Sequence, residues 1–340
     1  MGYPLKPTRY TLPLLALALL LVAASMIEWD KPSEIAEPQG VEPVFTGFRK
    51  VDDYPLYAVH YNGDYGFSEY LATGETPFTG GFYRPGCTVF TASGGCETLM
   101  GRNFDFPSNP ALLLYTDPPE GYASVSMVDL GYFGYSLDSL PQEDDLGSLL
   151  TAPYLPFDGM NERGLVVGMA AIPEALAPVS EGKTTIGEIQ AIRLLLDYAE
   201  NVDEALTLLK EYNVEMTTPP IHYMIADRSG ESVVVEHLHG EMHVIREETP
   251  YQVMTNFIIQ GAQTGPDAPC WRYRAVHRGL EGSNGAVSAS EAMDLLREAS
   301  QTSTIWSIVY DTSTGEIRVA MGCSYERVHT FSLSMTGGSP

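Results

Sequence analysis

Apolar residues recur at helical spacing over residues 186–198 and 202–212, which predicts two consecutive helices, with Asn201 or Asp203 capping the second. A third helix is expected over 288–299, because Ser288 followed by Glu291 has the form of a capping box. Short runs rich in β-branched and aromatic residues predict strands at 165–170, 222–226, 232–236, 242–246, 305–310 and 316–320, the last two flanking the turn Asp311-Thr-Ser-Thr-Gly315. Closer to the N-terminus, 54–61 reads as a strand and 66–71 as a short helix. Strands grouped apart from clustered helices predict an α+β domain of antiparallel sheets with helices on their outer faces. No repeat at solenoid spacing and no heptad pattern is present.

Gly94-Gly95 separates two runs with strand character, 88–91 and 97–100, and predicts a two-residue hairpin. The first run follows Gly86-Cys87-Thr88 and the second continues into Gly101-Arg102-Asn103-Phe104-Asp105-Phe106-Pro107. Counted outward from the turn, Cys87 falls opposite Arg102. Opposed side chains have Cβ atoms about 4.5–5.5 Å apart, so the guanidinium would favour an anionic, nucleophilic thiol. Asp105 is expected just past the ladder, where a bend turns its carboxylate toward the cysteine nitrogen.

The four cysteines also allow two disulfides in an exported chain. Cys87 stands apart because it follows a glycine and faces an arginine, whereas Cys270 and Cys323 lack such surroundings. Cys96 also follows a glycine, but it shares a strand with Arg102 and cannot face it. Among the histidines, His237 and His239 are placed to share a strand face, with His222 and His243 nearby. No HExxH or CxxC spacing accompanies them, so no metal is expected.

The stretch from Cys87 to Pro107 resembles the N-terminal hairpin of the choloylglycine-hydrolase-like branch of the N-terminal-nucleophile hydrolases, which includes bile-salt hydrolases, penicillin V acylases, acid ceramidase and N-acylethanolamine amidases. Asp158-Gly-Met-Asn161-Glu-Arg-Gly164-Leu is similar to the family's second signature, and Ser232-Val-Val-Val-Glu236 with Met242-His-Val to its paired strands. Met254-Thr-Asn256 resembles the segment with the oxyanion-hole asparagine, and Pro269-Cys-Trp-Arg272-Tyr-Arg the late arginine motif. The pieces occur in the family's order over nearly all of residues 87–335. The resemblance implies a four-layer αββα sandwich and a chain that cuts itself before Cys87.

The site implied by the resemblance comprises Cys87, Arg102, Asp105, Asn256 and Arg272. A released Cys87 amine, with an ordinary pKa of about 7.7–8.0, serves as general base without a histidine. Arg102 stabilises the thiolate, Asp105 holds the ammonium, Asn256 donates to the oxyanion and Arg272 orders the site. One departure is evident: where bile-salt hydrolases and penicillin V acylases have an asparagine before an aromatic-Pro pair, this chain reads Ala170-Ala171-Ile172-Pro173. A backbone N–H is expected to replace that donor. The implied activity is hydrolysis of linear carbon–nitrogen amide bonds in a small-molecule N-acyl substrate, without a cofactor. Its rivals are acyl transfer through the same thioester and a silent secreted binding module.

Lys6 and Arg9 precede an apolar run over 12–27, shorter than the ~20 residues of a spanning helix, with small residues at Val22-Ala23-Ala24-Ser25. Residues 1–27 therefore read as a signal peptide or an N-terminal membrane anchor. Either places the remainder outside the cytoplasm, extracellular or in the cell envelope. Residues 28–86 are expected as a pro-segment or small subunit, and Phe45, Phe48, Tyr54, Tyr57, Tyr61 and Tyr65 favour its retention. Residues 87–340 form the catalytic domain, near the size limit of a single core. A net charge of −25 with only 19 Lys and Arg excludes nucleic acid as a partner, while membrane association through the N-terminal segment and homo-oligomerisation stay open.

Overall fold

Two strands, β1 (Phe45–Asp52) and β2 (Leu56–Asn62), lead to helix α1 (Phe67–Thr73). Next come β3 (Gly86–Ala92), β4 (Leu99–Asp105), β5 (Ala111–Asp117), β6 (Ser124–Asp129), β7 (Asp158–Asn161) and β8 (Val166–Ala171). β9 (Thr185–Gly187) runs into α2 (Glu188–Tyr198), followed by α3 (Val202–Glu211) and β10 (Asn213–Glu215). The chain continues through β11 (Ile221–Ala226), β12 (Ser232–Leu238), β13 (Glu241–Ile245) and β14 (Tyr251–Thr255). It closes with α4 (Trp271–Ser283), α5 (Ala289–Glu298), β15 (Thr304–Asp311), β16 (Glu316–Met321) and β17 (Val328–Ser332). The structure is a computed structural model describing residues 44–75, 86–144, 146–216 and 219–336. The expected leader or anchor, residues 1–27, lies outside the described residues.

The nine-stranded sheet has the order β1-β2-β5-β6-β7-β8-β11-β12-β13 and the six-stranded sheet β14-β3-β4-β15-β16-β17, while β9 and β10 form a small parallel pair apart from both. α2 packs on β7 and β8, and α3 on β11. On the opposite side α4 packs on β14 and β3, and α5 on β15 and β4. The sheets meet through β3 against β8 and β11, and β14 against β8 and β12. Helix, sheet, sheet, helix is therefore the layer order, a four-layer αββα sandwich of the α+β class.

The helix caps follow the sequence. Asn201 accepts from the Glu204 N–H at 3.0 Å, and Ser288 and Glu291 form the reciprocal capping box. α4 was not expected, because it buries only Arg272, Tyr273, Val276 and Leu280 and so shows too narrow an apolar stripe. β5 and β6 were also missed, since nearly all their residues are buried and alternation disappears where both faces are covered. The sheets are not antiparallel throughout: β2 pairs with β5 in parallel, from Leu56 opposite Ala111 to Asn62 opposite Asp117. A parallel pair needs a long crossover, and here the β3–β4 hairpin of the second sheet lies between β2 and β5 in the chain.

The hairpin corrects a second expectation. Its ladder closes at Ala92 opposite Leu99, leaving a loop over 93–98 instead of a two-residue turn. A type I′ turn needs positive φ at both central residues, and neither Gly94 nor Gly95 is among the described glycines with positive φ. Gly94 instead packs against the turn after α4, where an added Cβ would lie 2.0 Å from the Asn284 carbonyl oxygen. Its N–H donates to the Gly285 carbonyl at 3.0 Å.

Candidate active site

The longer loop shifts the register by two residues. Cys87 pairs with Phe104, Arg102 with Val89, and Gly86 with Asp105. Because side chains alternate with period 2, a two-residue shift keeps Cys87 and Arg102 on one face as diagonal neighbours. The Arg102 side chain spans the diagonal, and Nη2 donates to Cys87 Sγ at 3.4 Å. Asp105 lies within the ladder and not beyond it. Cys96 sits exposed in the loop and not on a strand.

Arg102 and Cys87 are fully buried. The other guanidinium nitrogen, Nη1, donates to the Phe157 carbonyl and pairs with the buried Asp158 carboxylate. Asp158 also accepts from Trp306 Nε1 at 3.1 Å and from the Tyr310 hydroxyl at 2.5 Å. With the Gly86–Cys87 peptide bond intact, burial pushes the Cys87 thiol above its ordinary pKa. Arg102 opposes this by charge and hydrogen bond without cancelling it. The cation is legible in the sequence, whereas the desolvation arises only when the fold closes over the thiol.

Asp105, Asn256 and Arg272 converge on the other side of Cys87. Asn256, where the chain leaves β14, accepts from the Cys87 N–H at 2.8 Å and from Arg272 Nη2 at 2.7 Å through Oδ1. Its Nδ2, the group expected to donate to the oxyanion, donates here to the Ala171 carbonyl at 2.8 Å, so the contact with Cys87 is made by the amide oxygen. Arg272, in the first turn of α4, donates through Nη1 to the Cys87 carbonyl, to Thr88 Oγ1 at 3.1 Å and to Asp105 Oδ2 at 3.2 Å. The side-chain bond to the Cys87 nitrogen thus comes from Asn256. Asp105 is held one step back by Thr304 Oγ1 and Gln301 Nε2, both at 2.5 Å, as well as by Arg272. Gly86 lies close over this group, since a Cβ there would sit 3.0 Å from Asp105 Cβ and 3.2 Å from Gln301 Nε2.

Asp158, Gln301 and Thr304 were not among the expected site residues. Asp158 was legible as the one charge opening an otherwise uncharged run before Glu162, but its partner lies far away in sequence. All four cysteines are free thiols. His239, with φ of 54°, occupies the turn after β12 and does not share a strand face with His237. Among the described residues no group of three or more His, Cys, Asp or Glu is placed to hold a metal ion.

Residues 87–257 match the family described as linear amide C-N hydrolases, choloylglycine hydrolase family. An uncharacterized protein of Paramecium bursaria Chlorella virus 1 is 33% identical over 109 residues, covering 29% of this chain. The chain spans 38% of that curated relative's length. Penicillin V acylase from Agrobacterium tumefaciens is similar in structure with a TM-score of 0.52 at 16% identity, over 73% of this chain and 86% of that one. A mutant of conjugated bile acid hydrolase from Clostridium perfringens gives a TM-score of 0.51 at 16% identity, over 72% of this chain and 92% of that one. At these identities the two structures speak for the fold.

Proposed function

The chain belongs to the linear amide C-N hydrolases of the choloylglycine hydrolase family, and from that premise we propose that it is a self-processing amidase with Cys87 as nucleophile. The observation that carries the proposal is the placement of Cys87 between Arg102 at its sulfur and Asn256 at its nitrogen, at the first residue of the family match. In maturation the sulfur attacks the Gly86 carbonyl, the Gly86–Cys87 C–N bond breaks as a thioester forms, and water releases a Gly86 carboxylate and the Cys87 amine. In turnover the amine accepts the thiol proton as sulfur attacks the substrate carbonyl. It then gives that proton to the departing nitrogen, and water hydrolyses the thioester to a carboxylic acid. Burial of the thiol works against the thiolate despite Arg102, which favours a mechanism that supplies such a base.

Asn256 Oδ1 would orient the amine, Arg272 would fix Asn256, and Asp105 would fix Arg272. The substrate is a small N-acyl amide with the acyl chain on the carbonyl side. Ala171 in place of a side-chain donor speaks against bile salts and penicillin V. The basic flank and short apolar run near the N-terminus support export. The upstream segment would stay bound after cleavage, because β2 lies inside a sheet with Leu56, Tyr57, Ala58 and Val59 buried.

Intact mass and N-terminal sequencing test the maturation, with a large fragment beginning at Cys87 and a smaller one co-purifying until denaturant is added. A panel of N-acyl amino acids, N-acylethanolamines, conjugated bile acids and penicillin V, assayed with and without a competing amine, then defines the acyl group and acceptor. Full activity with Cys87 still internal overturns the mechanism, since the base would not exist.

A further inference from the structure

Away from the sulfur, a buried pair joins the two sheets. His222 on β11 and Glu236 on β12 are fully buried members of the nine-stranded sheet. His222 Nδ1 lies 2.9 Å from Glu236 Oε1, and Nε2 lies 2.8 Å from the carbonyl oxygen of Thr255, the last residue of β14 in the other sheet. Glu236 reaches further along the same turn. Its Oε1 accepts from the Ile259 N–H at 2.7 Å, and Oε2 from the Gln260 N–H at 2.9 Å. Burial works against the Glu236 charge, but the His222 bond and charge and the two amides hold the carboxyl below its ordinary pKa.

The imidazole and carboxylate therefore fasten both ends of residues 255–260, and Asn256 is the side chain this turn presents to Cys87. The β14–β3 ladder ends at Thr255 opposite Thr88, so strand pairing does not place Asn256 itself. We propose that the His222–Glu236 pair is a positioning element for amide cleavage, setting the turn so that Asn256 meets the Cys87 nitrogen. This rests on the reading of Cys87 and Asn256 given above. Neither member of the pair bonds to Cys87, Arg102 or Asp105; their effect passes through the turn.

A double-mutant cycle on the mature enzyme tests this, using Glu236→Gln, Asn256→Ala and the double variant, with kcat, KM and thermal unfolding recorded for each. A misplacement near 1 Å costs about 100-fold in rate, so Glu236→Gln should lower kcat by that order and leave KM nearly unchanged. On the Asn256→Ala background it should cost no further activity. His222→Gln keeps both amide bonds to Glu236 and carries the same cycle if Glu236→Gln does not fold. Additive losses, or an unchanged kcat in folded variants, overturn the positioning role while leaving Asn256 in the site. Full activity in Asn256→Ala alone overturns the site reading and the positioning role together.

Discussion

Arg102 serves Cys87 and Asp158 with different nitrogens of one planar group, a division that lysine, with a single ammonium, cannot reproduce. Arg102→Lys is expected to keep part of the activity and Arg102→Met to lose it, with the Cys87 thiol pKa rising in the order wild type, Lys, Met. Methionine also strands the buried Asp158 carboxylate, which should cost about 3–5 kcal/mol of stability. Adding Asp158→Asn to Arg102→Met removes that charge and should restore part of the stability, with no recovery of thiol reactivity. Alkylation rate against pH and denaturant unfolding, run on the same variants, separate the two effects. Equal titration in all three proteins would make Arg102 structural only.

Among the strands, β4 carries Gly101 in its interior, where a glycine is ordinarily a weakness. The Phe90 ring lies across it in register, and a Cβ at Gly101 would sit 2.4 Å from Phe90 Cζ. Phe90 is fully buried between the sheet and α4 and α5, so its ring has little room to swing away. Gly101→Ala should destabilise by about 1–3 kcal/mol through overpacking, and Phe90→Leu on that background should recover part of the loss. Thermal unfolding of the single and double variants decides it. A neutral Gly101→Ala would show that this strand tolerates displacement and that Arg102, its neighbour, is less rigidly placed than argued.

At the scale of the whole molecule, a buried contact joins the segment preceding Cys87 to the layer of outer helices. The Tyr65 hydroxyl donates to Asp197 Oδ2 on α2 at 2.6 Å, and Arg193 Nη2 lies 2.7 Å from Asp197 Oδ1. Burial pushes the Asp197 carboxyl from 3.8 up to about 6 despite Arg193 and Tyr65. A carboxyl with a raised folded pKa binds its proton more tightly when folded, so stability is highest below the ordinary value and falls as pH rises toward about 6. Asp197→Asn should therefore gain on wild type by on the order of 3 kcal/mol between about pH 4 and pH 7. Unfolding by denaturant across that range reads it, and a pH-independent difference between the two proteins would refute it.

The order of residues along the chain was enough to specify α1, α2, α3 and α5, whose caps and 3.6-residue spacing are local, but not α4 with its narrow apolar stripe; it also gave the α+β class, which follows from how strands and helices group. Asn201, Ser288 and Glu291 cap in the structure as their order along the chain implies. Motif order placed Cys87, Arg102, Asp105, Asn256 and Arg272 within one family pattern, and the fold brings them together around one cysteine. Long-range packing set the register of the β3–β4 hairpin, because Gly94 answers to the turn after α4 and not to its own strands. It also set the parallel β2–β5 pair, the partners of Asp158 and the hold of His222 and Glu236 on the Asn256 turn. The last three join residues distant in sequence inside regions covered on both faces, where alternation disappears and only burial and hydrogen-bond satisfaction select the partner.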